Sequence, residues 1–224
     1  MSTTTVIIAD DHPLFRDALT HAIRSCVDDA RIIEADSLST LQDAVSTHPD
    51  ADLLLLDLNM PGVSGFSALA YVRQHHDTLP TVIVSAADDE AVIRRALQHG
   101  ASGFISKSSS ISELESGINA VLGGEVWVPD GIDITNTDID QDERQAAAAI
   151  SQLTPHQFRV LMMLTEGLLN KQIAYQLGVS EATIKAHITA VFRKLNVNNR
   201  TQAVLAVQQL AVTDPAALER APKA

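Results

Sequence analysis

Asp57 ends an apolar run, Leu53-Leu54-Leu55-Leu56, and Asn59-Met60-Pro61-Gly62 follows closely. A second run, Val6-Ile7-Ile8-Ala9, ends in two adjacent carboxylates, Asp10 and Asp11. A strand buried in a parallel sheet reads as an unbroken hydrophobic stretch. In open α/β sheets the site lies outside the carboxyl ends of the strands. Three acids at two such ends converge on one pocket, and carboxylates so close do not all stay ionised without a cation. Mg²⁺ is hard and is held by one or two carboxylates with water and phosphate oxygens. Asp10, Asp11 and Asp57, with the backbone carbonyl of Asn59, suit it. Asp57 would then attack phosphorus and become an acyl phosphate. Lys107 would neutralise the phosphoryl oxygens during transfer. Ser85 would hydrogen-bond one of them afterwards. A lone Asp after a strand is usually a helix cap, and a lone Lys a solvated cation. Five such residues at matching positions, rather than any one of them, point to the pocket.

The elements that must hold these residues alternate. Strand patterns cover residues 5–10, 31–35, 52–57, 81–85 and 103–105, with helical patterns of about ten to fifteen residues between them. Pro13 falls in a first helical turn, where a missing N–H costs nothing. Gly100 closes a helix over 89–98. Ser110-Ile111-Ser112-Glu113 is a capping box for a helix running to Leu122. Five βα units of this length predict a five-stranded, doubly wound parallel sheet with right-handed crossovers. Asp10, Asp11, Asp57, Ser85 and Lys107 then share one edge.

The chain has 224 residues, 46% of them hydrophobic, and a net charge of −12. No apolar stretch approaches the roughly 20 residues needed to span a bilayer, and residues 1–5 lack the basic start of a signal peptide. Cys26 is the only cysteine, which agrees with a reducing cytoplasm. Charge is unevenly spread. Residues 1–128 carry a net −11, residues 129–150 a net −5 and residues 151–213 a net +4. The chain average argues against nucleic acid, but local charge steers a polyanion. The expected organisation is an α/β domain over 1–123, an acidic linker over 124–150, a small all-α domain over 151–213 and a flexible tail over 214–224. Within the linker, residues 145–150 predict a short helix.

The small domain reads as a four-helix helix-turn-helix unit. Thr154-Pro155-His156-Gln157 is a capping box with Pro in the first turn. Asn170 is expected to cap the next helix. Ala174 permits close helix approach, Gly178 makes the turn, Ser180 caps the third helix and Ile184 fills the core between. The third helix, from Glu181 to about Leu195, would enter the major groove with its N-terminal half. Lys185 is placed for a guanine edge. Ala186, Thr189 and His187 share its exposed face, and Thr183, Asn170, Lys171, Lys194 and Arg200 are placed for phosphates. A solvated helix face is the alternative for any one of them. Val197, Val204, Leu205 and Val207 are candidates for a dimer contact, with core packing the commoner role.

Asp10-Asp11-His12-Pro13, Leu56-Asp57-Leu58-Asn59-Met60-Pro61-Gly62, Val84-Ser85-Ala86 and Phe104-Ile105-Ser106-Lys107 resemble the receiver domain of two-component response regulators. The resemblance implies phosphorylation of Asp57 by a sensor histidine kinase. It also implies that Phe104 is an aromatic switch residue moving with Ser85. One departure stands out: many receivers have Pro after the lysine, in a cis bond, and here Ser108 follows Lys107. Residues 150–212 resemble the LuxR-type DNA-binding domain through Leu153-Thr154-Pro155, the stretch Glu166 to Ala174, Thr183-Ile184-Lys185-Ala186-His187 and Lys194-Leu195-Asn196-Val197. Together they look like the NarL/FixJ architecture. That architecture implies a non-enzymatic transcriptional regulator binding double-stranded DNA as a homodimer when active, with RNA polymerase as a further partner. Two rival classes exist. An aspartyl phosphohydrolase needs a second acid two residues beyond the nucleophile, where Asn59 stands. A pure interaction protein has no use for the helix-turn-helix. A regulator indifferent to phosphorylation is a narrower third.

Overall fold

The computed structural model describes residues 3–132 and 140–212. Five strands, β1 (Thr5–Ala9), β2 (Arg31–Ala35), β3 (Leu53–Leu56), β4 (Thr81–Ser85) and β5 (Gly103–Ser106), alternate with α1 (Pro13–Cys26), α2 (Leu38–Thr47), α3 (Ser67–His75), α4 (Glu90–Gln98) and α5 (Ile111–Leu122). Then come α6 (Gln141–Ser151), α7 (Pro155–Thr165), α8 (Asn170–Leu177), α9 (Glu181–Leu195) and α10 (Arg200–Gln208). The sheet is parallel with order β2-β1-β3-β4-β5. All four residues of β3 are buried, as its uniform leucines require of a central strand. The order puts the ends of β1 and β3 side by side, with Ala9 opposite Leu56, so Asp10 and Asp57 leave the sheet as neighbours.

Local chemistry sets the helix ends. Ser37, Ser110 and Thr154 form capping boxes with Thr40, Glu113 and Gln157. Asn199 accepts from the Gln202 N–H at 2.9 Å and starts α10. Asn170, expected as a cap, is instead the first residue of α8. Leu169 holds the cap position and has no side-chain acceptor, so Gln172 Oε1 reaches back to the Leu169 N–H at 2.7 Å. Gly178 takes φ +65° between α8 and α9, a left-handed conformation that glycine adopts without a Cβ clash. Ala174 and Ile184 are buried beside it.

Two segments read as linker are part of the packed structure. Trp127 bridges to Gly103 along the edge of β5, and Phe104 N–H donates to its carbonyl at 2.8 Å. The helix foreseen over 145–150 begins earlier, at Gln141. Asp140 accepts from Asp142 N–H at 3.0 Å, and Asp142 and Glu143 lie in the first turn, where acids favour the helix dipole. Apolar periodicity was absent there because charge and capping start this helix. The middle of the expected linker and the tail from 214 lie outside the described residues.

Helix α6 packs on α3 and on α9 and α10. One continuous core joins Ile7, Leu54, Leu56 and Ile83 of the sheet to Ile150, Phe158, Leu161, Val191 and Val207. Tyr71 of α3 stacks on Phe158 of α7 with centroids 4.8 Å apart. The helical domain is therefore docked on the α2–α3–α4 face of the sheet. The joint is tight at Gly65 (φ +51°), where an added Cβ would lie 2.0 Å from the Leu210 carbonyl oxygen. Phe66 N–H donates to the same oxygen at 2.9 Å.

Candidate functional site

Asp10 is 1% exposed and Asp57 2% exposed at the sheet's carboxyl edge. Donor atoms of Asp10, Asp11, His12 and Asp57 all lie within 4.8 Å of one another. Lys107, from just beyond β5, places its Nζ 2.7 Å from Asp10 Oδ2 and 2.9 Å from Asp57 Oδ2. The ring of Phe15 covers that ammonium at 5.1 Å. Backbone ladders continue past the strands: Asp57 N–H donates to the Ala9 carbonyl at 2.8 Å and Asp10 N–H to Ala35 at 3.0 Å. Arg16 Nη1 donates to the Asp10 carbonyl at 2.7 Å. Asp10 and Asp57 are thus held by the continued ladder of the sheet.

Burial pushes the Asp57 carboxyl up to about 6, against the opposing pull of the Lys107 charge and its hydrogen bond. Burial acts to lower the Lys107 ammonium, but Asp57 and Asp10 outweigh it and hold it above the usual lysine range. One ammonium against three gathered carboxylates leaves excess negative charge in a half-closed pocket. That donor set, hard oxygens around a deficit of positive charge, fits a hard divalent cation. His12 was not foreseen as a member. Its Nδ1 stands 2.8 Å from Asp11 Oδ1 and 3.2 Å from Asp10 Oδ1. The only sequence signal for it was adjacency to the acid pair.

Ser85 is fully buried at the end of β4, and its Oγ accepts from Ala87 N–H at 3.2 Å. Phe104 is fully buried in β5. Asn59 is half-buried next to the pocket, and its N–H helps hold the Asp57 carboxylate. All described peptide bonds are trans, including that between Lys107 and Ser108.

On α9, Thr183, Lys185, Ala186 and Thr189 are exposed and form one open face. Thr189 Oγ1 donates back to the Lys185 carbonyl at 2.9 Å. His187 is half-buried, edge-on to His156 at 6.3 Å. Asn170 is half-buried and Lys171 exposed at the start of α8. Two residues have other employment. Lys194 Nζ donates to the Gln152 carbonyl and to Gln157 Oε1, both at 2.8 Å. Arg200 donates to the Leu164 carbonyl at 2.7 Å and to Leu168 at 2.9 Å, closing the C-terminus of α7. Sequence spacing showed their charge but not these internal acceptors.

Between the two sites lies a polar joint. Glu143 of α6 is 6% exposed and accepts from Arg95 Nε at 2.9 and 3.2 Å and pairs with His99 Nε2 at 2.7 Å. Arg95 also donates to the carbonyls of Gln209 and Ala211 beyond α10, at 3.0 and 3.3 Å, and lies over the Phe66 ring. Burial pushes His99 below its ordinary value, with Glu143 pulling the other way. One α4 side chain thus grips both the linker helix and the end of the helical domain.

Residues 6–119 match the response regulator receiver domain family, and residues 151–207 match the luxR family of bacterial regulatory proteins. The chain is 41% identical over 213 residues to the glycerol metabolism activator of Pseudomonas putida, covering 93% of this chain and 96% of that one. It is 28% identical over 206 residues to the nitrate/nitrite response regulator protein NarL of Escherichia coli K12, covering 92% and 95%. Among solved structures, RcsB of Salmonella enterica serovar Typhimurium, bound to a promoter in the presence of a phosphomimetic, aligns with a TM-score of 0.55. That match is 22% identical and covers 94% of this chain and all of the other, a likeness of fold. No described helix is long and apolar enough to cross a membrane.

Proposed function

The chain belongs to the response regulators that join a receiver to a luxR-family DNA-binding domain, and we propose that Asp57 is the phosphoacceptor through which it is switched. It is a transcriptional regulator and not an enzyme, as this family is. Convergence of Asp10, Asp11 and Asp57 on Lys107 is the observation that carries the proposal. An Asp57 carboxylate oxygen attacks phosphorus of a kinase phosphohistidine, the P–N bond breaks, and its electron pair returns to the imidazole. Asp10, Asp11 and Asp57, with the Asn59 carbonyl, would hold Mg²⁺, which supplies charge neutralisation for the phosphoryl oxygens when bound. Lys107 supplies a further positive charge from the chain itself. Ser85 leaves its contact with Ala87 to donate to a phosphoryl oxygen, and Phe104 repacks with it.

The new phosphoryl group carries about −1.5 to −2 charges. Helix α4 begins five residues beyond Ser85, so a shift of this loop reaches Arg95 and the docked domain. The exposed face of α9 shows that docking does not cover Lys185, Ala186 or Thr189. Docking limits DNA binding by where it holds the domain, so that two copies cannot meet two half-sites about 34 Å apart. On release, Lys185 would read a base edge, Ala186 and Thr189 touch bases, and Thr183, Asn170, Lys171 and His187 approach the backbone. Release as a homodimer in the cytoplasm, with RNA polymerase nearby at the promoter, completes the reading. A swing from 1:99 to 99:1 needs about 5.5 kcal/mol, within reach of several charge-assisted hydrogen bonds and a new interface. The test is acetyl phosphate with Mg²⁺: one phosphoryl mass is added to the wild type and none to Asp57→Asn. Labelling that survives this change places the acceptor elsewhere.

A further inference from the structure

We propose that Asp88, Ser106 and Ser108 form a clip of positioning residues that holds Lys107 for phosphoryl uptake. This rests on the reading of Asp57 as phosphoacceptor. The clip does with hydrogen bonds what the ring of a proline after the lysine would do.

The last residues of β4 and β5, Ser85 and Ser106, are register partners, and Lys107 N–H donates to the Ser85 carbonyl at 2.8 Å. Beyond that ladder one further backbone bond, Ser109 N–H to the Ser106 carbonyl at 3.0 Å, closes a turn over Lys107 and Ser108, and side chains supply the rest of the hold. Ser106 Oγ donates to Asp88 Oδ2 at 2.6 Å, a charge-assisted bond. Ser108 Oγ stands 2.7 Å from Ser106 Oγ and 3.4 Å from Asp88 Oδ2, so both hydroxyls gather on one carboxylate oxygen. Ser108 N–H also donates to Ser106 Oγ, at 3.1 Å. Both chain neighbours of Lys107 are thereby tied to each other and to Asp88 on the loop that follows Ser85. Bonds in such a chain polarise one another and strengthen. Ser106 is buried, at 7% exposure, whereas Asp88 and Ser108 are exposed, so the clip is half-buried.

Lysine carries its charge on a flexible four-carbon stem, so the placement of its backbone decides where Nζ can reach. Misplacement of about 1 Å at a reacting centre costs orders of magnitude in rate. In the clipped state Nζ bridges Asp10 and Asp57, where an incoming phosphoryl group must be met. Proline lacks an N–H and fixes its own φ. Serine at 108 keeps the N–H and puts it on Ser106. The same loop is held by a different device, one that also reaches across to the Ser85 loop.

The experiment uses the full chain with acetyl phosphate and Mg²⁺, following phosphoryl mass against time. Ser106→Ala and Asp88→Ala should each slow uptake at saturating phosphodonor by about three- to tenfold, the loss expected of one partly exposed hydrogen bond. The half-saturating concentrations of acetyl phosphate and Mg²⁺ should stay unchanged, because no proposed ligand is touched. Ser106→Thr keeps the hydroxyl and should restore the rate. The double alanine variant should be no slower than either single one, as members of one unit are non-additive. Without any phosphodonor, Ser106→Ala should speed amide hydrogen exchange at residues 107–109. Wild-type rates in both single variants, additive losses, or unchanged exchange would each overturn the clip while leaving Asp57 as acceptor. A wild-type chain that takes no label overturns both.

Discussion

The two faces of the receiver sheet end differently. On the α1–α5 face, Val6, Ile8, Leu53, Leu55, Val82 and Val84 pack against Leu19, Ile23, Leu114 and Ile118, and that core closes within the receiver. On the other face, Ile7, Leu54, Leu56 and Ile83 belong to a core that continues into the DNA-binding domain. Successive residues of one strand therefore serve different purposes, since side chains alternate across a sheet. One set stabilises the receiver alone, and the next sets where the DNA-binding domain sits. Damage to the two faces should separate stability from regulation.

The largest effects come from the cores. Ile118→Ala on the closed face should cost about 2–5 kcal/mol of receiver stability, and Phe158→Ala on the shared face about 3–5 kcal/mol. Only Phe158→Ala, which loses the Tyr71 stack, should also expand the unphosphorylated protein in solution scattering. If both variants expand the molecule equally, the faces are not functionally distinct.

The joint can be opened with less damage. Glu143→Ala strips Arg95 and His99 of their shared carboxylate, and breaking such a half-buried pair costs about 2–3 kcal/mol. Gly65→Ala puts a Cβ against the Leu210 carbonyl at a positive φ. Both should leave phosphoryl uptake unchanged and raise unphosphorylated binding to operator DNA at least tenfold. Unchanged affinity in a demonstrably undocked variant would show that docking does not restrain DNA binding.

How far the sequence discloses this molecule follows the same division. Leu53 to Leu56 and Val6 to Ala9 announce buried strands, and strand ends bring Asp10, Asp11, Asp57 and Lys107 together with Ser85 closing β4, because period and topology are local signals with one global solution. Gly178, Ala174 and Ile184 were legible for the same reason. The joint was not. Glu143 lies in an acidic stretch that reads as solvated, and its burial depends on Arg95 and His99 more than forty residues away. Lys194 and Arg200 read as phosphate contacts because their acceptors, main-chain carbonyls and Gln157, have no sequence signature.

The acid pocket sits where the two faces meet, and its titration is a gentler probe. Burial raises Asp57 to about 6, above its unfolded value of 3.8. The folded state then binds the proton more tightly, so this group's contribution to stability is present below pH 3.8 and is lost as pH rises through about 6. A divalent cation competes with that proton. Mg²⁺ should therefore raise the melting temperature little at pH 5 and fully at pH 7.5, and Asp57→Asn should flatten the difference. A pH-independent Mg²⁺ shift in the wild type would mean that Asp57 is not a ligand.

The smallest effect separates two lysines of the DNA-binding domain, one pointing outward and one inward. Removing a single lysine–phosphate interaction takes about one unit off the slope of log affinity against log salt. Lys171 is exposed at the start of α8, whereas Lys194 is spent on Gln152 and Gln157, stitching α9 to the start of α7. Lys171→Ala should reduce the slope by about one with no loss of stability. Lys194→Ala should leave the slope almost unchanged and lower the melting temperature instead, since it strips the Gln152 carbonyl of its donor and leaves Gln157 Oε1 with the Thr154 N–H alone. The reverse pattern would mean that Lys194 leaves its internal acceptors when DNA arrives. The inner face of this domain, like the shared face of the sheet, would then rearrange on binding rather than serve only as scaffold.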